Sequence, residues 1–346
     1  MKRTVKASGL KVLLYLVIMG VLLYVVVYMP TPYLIYQPGS AENVKPMITV
    51  EKGDPVEEGT FMLTTVSASY ANMALLFMSA FNSNAEVVKK EEKLGEQSKE
   101  EYAATQVFYM NSSQSLAMEA AYNAAGIDYR IVPDYMFIIS VPETSVNKDY
   151  FHPGDKLLSV DGKKASDNEE LAELMSEKNV GESVEVKLER AGHLVTEQVK
   201  LVSIKDDETG AERPGLGVMI ATMQKIEPEN PDARITFADT NIGGPSAGLM
   251  FSLEIYNQLT PGDLTKGYRV AGTGTINKEG TVGPIGGVKH KIVAAHQEGA
   301  ELFFVPSKNY DEAKAKADSI GTAMKLIPVD KLQDAIQHMN NLPPKE

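Results

Sequence analysis

The residues best suited to do chemistry are a serine and a lysine, each at the start of a helical pattern. The first lies in Gly243-Gly244-Pro245-Ser246-Ala247-Gly248, followed at once by an apolar run. Proline suits a first helical turn because its missing N–H would be unpaired there anyway. The pattern predicts a helix over 245–258 with Ser246 at its N-terminus. Exposed backbone N–H groups and the helix dipole can hold an oxyanion at such a place. The N–H groups of Ser246 and Ala247 are the candidate donors. Serine also caps helices that do no chemistry, so this segment alone does not establish a nucleophile. The second segment contains Gly286-Gly287-Val288-Lys289-His290-Lys291. Lys289 falls at the start of a helix predicted over 287–297, among apolar neighbours. A helix N-terminus and apolar burial both disfavour a cation. The neutral amine that results is the base a serine nucleophile needs. The opposing reading is an ordinary surface lysine. A Ser-His-Asp arrangement with His290 or His296 is a further option, although His290 points about 100° away from Lys289 on a helix. The five histidines form no His-x-x-x-His or His-Glu pair, so a zinc site is not expected and no cofactor is called for.

Taken in order, Pro245-Ser246-Ala247-Gly248, Thr273-Gly274 and Gly280-Thr281-Val282-Gly283-Pro284-Ile285-Gly286-Gly287-Val288-Lys289-His290-Lys291 resemble the proteolytic domain of the Lon family. The similarity runs from about residue 214 to residue 329. It implies that Ser246 is a nucleophile, that Lys289 is its base in a Ser–Lys dyad, and that Thr273 is a supporting residue that orients the lysine. The approach Asn241-Ile242-Gly243-Gly244 departs from the more polar Pro-Lys-Asp-Gly usual in Lon, which bears on the oxyanion pocket or substrate edge. ATP-driven Lon proteases carry a motor. These 346 residues hold no Gly-x-x-x-x-Gly-Lys-[Ser/Thr] stretch, so cleavage without nucleotide is expected.

The elements around these motifs suggest an α+β chain. Residues 127–205 read as a small β-rich module with turns at Pro153-Gly154-Asp155, Asp161-Gly162 and Ala191-Gly192-His193 and a helix over 168–176. Gly154-Asp155-x-Leu157-Leu158-x-Val160-Asp161-Gly162, with Val184, Val186 and Leu188 alternating later, resembles a PDZ domain. Such a domain would bind an extended peptide as an added strand. No Gly-Leu-Gly-Phe-like carboxylate loop precedes Ile138-Ile139-Ser140-Val141. Upstream, Phe61–Val66 reads as a strand and 86–104 as a solvated helix and loop. Leu116, Ala117, Ala120, Ala121 and Ala124 then follow a helical period that Gly126 can cap. Because 214–341 is short of strands, residues 47–126 are expected to be the N-terminal part of the protease fold. The PDZ module at 127–205 would then be inserted ahead of a Lon-type domain at 206–341.

Lys2, Arg3, Lys6 and Lys11 are the only charges before Glu42, and an uncharged, mostly apolar run from Val12 to Met29 follows them. At about 1.5 Å per residue this run nearly crosses a hydrocarbon core of roughly 30 Å. Residues 1–29 are therefore expected to form a cytoplasmic basic flank and a transmembrane helix, with Tyr24, Tyr28, Tyr33 and Tyr36 near the outer interface. A signal peptide and a buried soluble helix are the rivals. Tyr28-Met29-Pro30-Thr31-Pro32-Tyr33 offers no small-x-small cleavage site. The basic flank assigns the N-terminus to the cytoplasm and the remainder to the outside. Residues 30–46, rich in proline, read as a linker. The net charge of −12 argues against nucleic-acid binding. With no cysteine, disulfides and thiolate chemistry are excluded, which suits an exported bacterial protein. Anchor, PDZ module and Lon-type domain together resemble the YlbL-like membrane endopeptidases of Gram-positive bacteria. That resemblance implies a membrane-anchored peptidase acting on peptides or unfolded proteins outside the cytoplasm. The alternative is a non-catalytic membrane adaptor that captures peptides through its PDZ module.

Overall fold

Six strands form the sheet on which the serine and lysine segments are mounted, in the order Lys325–Val329, Leu302–Pro306, Arg269–Gly272, Thr60–Asn72, Pro30–Asn43, Glu86–Lys89. A computed structural model describes residues 3–54, 58–205, 210–238, 240 and 242–345. Lys2, Asn241 and residues 206–209, on which the basic flank, the departing approach and a domain boundary were read, lie outside the described residues. The first four strands run parallel, and Pro30–Asn43 is antiparallel to both of its neighbours. The strand at Thr60–Asn72 pairs with Arg269–Gly272 in register Phe61↔Val270 and Leu63↔Gly272. Segments that precede and follow the β-rich module are therefore neighbours in one sheet.

Side-chain alternation along these strands builds two layers of core. Phe61, Leu63, Val270 and Phe304 face the helix Gly248–Leu259 and pack with its Leu249, Phe251 and Leu253. Met62, Ala271, Phe303 and Val305 face the other side, where the helices Val288–Gln297 and Tyr310–Ile320 contribute Val288, Ile292, Ala313 and Ala317. The long helix Lys99–Ala125 starts with a capping box of Ser98 and Glu101 and ends on Gly126 in the left-handed region. It packs on the helix Gly248–Leu259, using the small side chains Ala117, Ala120 and Ala121 for close approach. Its Tyr122 hydroxyl donates to the Ala233 carbonyl at 2.8 Å. The stretch at 86–104 is mostly exposed and largely helical, as expected, comprising the short helix Lys90–Leu94 and the first turns of this packed helix, but it opens with the edge strand Glu86–Lys89.

The linker expected at 30–46 is corrected: Pro30–Asn43 is a strand inside the sheet, beginning two residues after the helix Arg3–Tyr28 ends. Leu34 and Ile35 are both buried. The prolines fit because the pairing register shifts beside Pro30 and beside Pro38, where a missing N–H costs no ladder bond. The single apolar N-terminal helix is long enough to span a bilayer, with Gly9–Tyr28 at a mean hydropathy of 2.6 and its side chains exposed.

The β-rich module has a second sheet, ordered Met219–Pro228, Tyr129–Ser140, Lys156–Val160, Ser183–Arg190, His193–Lys200. Val184, Val186 and Leu188 are buried beneath it with Met136, Ile138 and Leu157, as the alternation required. Ala191 and Gly192, both at positive φ, make the two-residue hairpin. The outer strand Met219–Pro228 lies beyond the 127–205 segment and pairs along the whole of Tyr129–Ser140.

Phe61 is fully buried where the early and late segments join. Phe61→Ala is expected to lower stability by about 3–5 kcal/mol. Urea unfolding of the full chain checks this, and tyrosine emission and far-ultraviolet ellipticity should shift to the same lower midpoint.

Candidate active site

Ser246 sits in the turn just ahead of the helix Gly248–Leu259. That helix starts three residues later than the proline signal suggested, so Ser246 precedes the first helical turn. Its backbone is clamped from two sides. The Ser246 carbonyl accepts from the Thr273 hydroxyl at 3.0 Å and from the Gly274 N–H at 2.9 Å. The preceding residues are held by the long helix, where the Ser113 hydroxyl donates to the Pro245 carbonyl and the Gln106 carbonyl accepts from the Gly244 N–H. Gly248 has no room for a side chain, because a Cβ there would lie 2.7 Å from Ile276 and 2.9 Å from the Ser113 hydroxyl.

The lysine that reaches the serine is Lys291, not Lys289. Lys291 Nζ lies 2.9 Å from Ser246 Oγ and donates to the Thr64 carbonyl at 2.6 Å. Lys289 points to the surface, with its side chain 56% exposed and its amine 3.5 Å from Glu312 Oε1. The assignment of Lys289 as base is therefore corrected, and the reason is rotation. The helix begins at Val288 after Gly287, which takes the left-handed conformation at φ 71°. Two residues along a helix turn the side chain by about 200°, so the two lysines leave from opposite faces. The stripe Val288, Ile292, Ala295 faces the sheet, and Lys291 lies on it. That stripe was the signal in the sequence that distinguished the two.

Burial sets the chemistry of the amine. Desolvation among apolar packing pushes the Lys291 amine down from its usual 10.5 to about 7. A neutral amine has a lone pair for the serine proton while one N–H still bonds Thr64. Thr64 was not foreseen as a site residue. Pairing with Arg269–Gly272 stops at Leu63, one residue before it. The Thr64 hydroxyl donates to the Gly272 carbonyl at 3.0 Å, and its carbonyl takes the lysine. Thr273 is buried and bonds the serine backbone, so it orients the serine rather than the lysine as expected. His290 Nε2 faces Glu86 Oε2 at 3.3 Å, and His296 Nδ1 lies 3.0 Å from the Thr322 hydroxyl. Among the described residues, neither histidine has a recorded hydrogen bond to Ser246. A cleft of about 1320 Å³ opens over the pair, lined by Leu63–Ser67 on one side and Ile242–Ala247 on the other.

Residues 230–341 match the family model of the Lon protease (S16) C-terminal proteolytic domain, and residues 124–201 match the PDZ domain. The Lon protease of Campylobacter concisus (strain 13826) is 40% identical over 101 residues, which are 28% of this chain and 12% of that protein. That of Rhizobium meliloti (strain 1021) is 34% identical over 95 residues, again 28% of this chain and 12% of that protein. The chain thus spans about an eighth of the length of these curated relatives. The crystal structure of the PDZ domain of an SdrC-like protein from Listeria monocytogenes is 24% identical, covering 26% of this chain and 92% of that one at a TM-score of 0.23. The segment that carries Ser246 and Lys291 is thus similar to the Lon-type proteolytic domain, and the β-rich module to a PDZ domain.

The lowered amine makes stability depend on pH in a known direction. The unfolded chain holds the Lys291 proton up to its ordinary value of 10.5, whereas the folded chain releases it near 7. The folded state therefore carries the full cost of the buried charge below about pH 7 and loses that cost as pH rises toward 10.5, a difference of up to roughly 5 kcal/mol. Urea midpoints of the wild type minus those of Lys291→Met should rise steadily from pH 7 to pH 9. A flat difference would mean that the amine stays charged in the fold.

Proposed function

We propose that this chain is a membrane-anchored serine endopeptidase that works without a nucleotide-driven motor and cuts peptides or membrane-protein tails outside the cytoplasm. The observation that carries the reading is the 2.9 Å approach of a desolvated lysine amine to the Ser246 hydroxyl. Neutral Lys291 takes the hydroxyl proton as Oγ attacks a peptide carbonyl. The resulting oxyanion forms at the start of the helix Gly248–Leu259, where the N–H groups of Ser246 and Ala247 and the helix dipole favour negative charge. The lysinium, held by the Thr64 carbonyl, then gives its proton to the leaving amine. Water attacks the acyl-enzyme with the same amine as base, and Ser246 is restored.

The N-terminal helix and its basic flank support an anchor with its N-terminus in the cytoplasm and the catalytic cleft outside. The absence of a phosphate-binding glycine-lysine loop from these residues supports cleavage without ATP. Such an enzyme has no means to unfold its substrate, which favours flexible or unfolded chains. The rival adaptor reading needs an open strand edge at Ile138–Ser140. That strand is paired on one side with Lys156–Val160 and on the other with Met219–Pro228.

Unfolded casein incubated with the full chain is expected to be cut by the wild type and by Lys289→Ala at similar rates. Ser246→Ala and Lys291→Met should each lower kcat/KM by about a hundredfold or more. The wild-type kcat/KM should fall on the acid side with an apparent pKa near 7. Equal inertness of all four proteins would favour the adaptor.

A further inference from the structure

Between Gly59 and Ala85 the chain carries no charged residue, although charged residues make up 23% of the whole. The first part of this stretch is the buried strand. The second part is not buried. Strand Thr60–Asn72 ends with Asn72 paired to Pro30 and turns into the short helix Met73–Ser79. Asn72 caps that helix by accepting from the Leu75 N–H at 2.8 Å. Met73, Phe77, Met78 and Phe81 then project outward, with Phe77 69% and Phe81 78% exposed and their rings 5.2 Å apart. Scattered apolar residues on a surface are ordinary, but a contiguous aromatic and methionine cluster marks a contact.

The position of this cluster identifies what it meets. The Asn72 amide donates to the Val27 carbonyl at 2.6 Å, and the helix Met73–Ser79 packs against the helix Arg3–Tyr28. Val27 lies in the last turn of the apolar run, beside Tyr24 and Tyr28, whose rings stack at 5.2 Å. Tyrosines of this kind sit at the boundary between lipid and water. The exposed cluster is thus pinned at the depth of that boundary by a hydrogen bond to the spanning helix itself.

We propose that Met73–Phe81 is a second membrane contact, which enters the outer lipid interface beside the N-terminal helix and fixes the attitude of the peptidase domain on the bilayer. The proposal rests on the anchor described above. A short apolar helix that leaves Met73, Phe77 and Met78 exposed can lie in the plane of such an interface, its side chains just below the headgroups. The uncharged turn Asn82-Ser83-Asn84 returns the chain to water. Two attachments, one spanning and one interfacial, remove the free rotation that a single helix would allow.

The absence of tryptophan from the chain gives a clean probe. Full-length Phe81→Trp and Phe77→Trp, and Leu194→Trp on the exposed hairpin of the PDZ module as control, are reconstituted into phosphatidylcholine vesicles with or without dibrominated acyl chains. Flotation with the vesicles reports the anchor separately. Brominated lipid should reduce emission at positions 77 and 81 by roughly twofold and leave position 194 unchanged, as expected for a ring within reach of the upper acyl chains. Flotation without quenching at 77 and 81 overturns the proposal while leaving the anchor intact. A blue-shifted but unquenched signal there would assign the patch to a protein, whether a second copy or a partner. Failure to float would overturn anchor and proposal together.

Discussion

A lysine amine stripped of water and held between a serine hydroxyl and a main-chain carbonyl is the interaction on which the proposed chemistry depends. Among the described residues no carboxylate forms an ion pair with that amine, and burial favours its neutral form. The arrangement reaches far along the sequence. The carbonyl comes from Thr64, ahead of the PDZ module, and the serine and lysine come from a turn and a helix after it. The serine turn is braced by Ser113 and Gln106 of the long helix, also ahead of the module. No contiguous half of the chain contains the complete arrangement. The two core layers on either side of the sheet keep its parts in register.

The PDZ domain is attached to this assembly at both ends and also through its sheet. The strand Met219–Pro228 closes the edge of Tyr129–Ser140 and then leads through Ile235–Phe237 toward the serine turn. The segment that pairs along Tyr129–Ser140 is thus the one that continues into the approach to Ser246. An incoming peptide at that edge would have to displace a ten-residue strand of the chain itself.

Much of this could be read from the sequence, and the failures have physical causes. Ser246 was legible only because its Pro-Ser-Ala-Gly turn is followed in order by the Thr273-Gly274 and 280–291 motifs, since such a turn by itself also fits an ordinary helix cap. The buried helix at 288–297 was legible from its period, yet the choice between two lysines separated by one residue needed the helix phase. Proximity to the glycine pair favoured Lys289, whereas the stripe through Val288 and Ile292 selects Lys291. Thr64 was invisible because its contribution is a carbonyl, which every residue has. What makes it special is that its strand neighbour ends one residue earlier. The strand Pro30–Asn43 was missed because its prolines read as breakers, and only the register shifts beside them make them tolerable.

That same strand has a consequence for reach. It leaves the N-terminal helix almost at once and runs without a hinge to Ala41, which is paired with Thr64 at the floor of the cleft. At about 3.3 Å per residue the strand from Pro30 to Ala41 is at most roughly 35 Å long. For a chain held in a bilayer by its first helix, this strand is a ruler. With the strand following the helix so closely, its own length rather than a long tether bounds the distance from the helix end to the cleft.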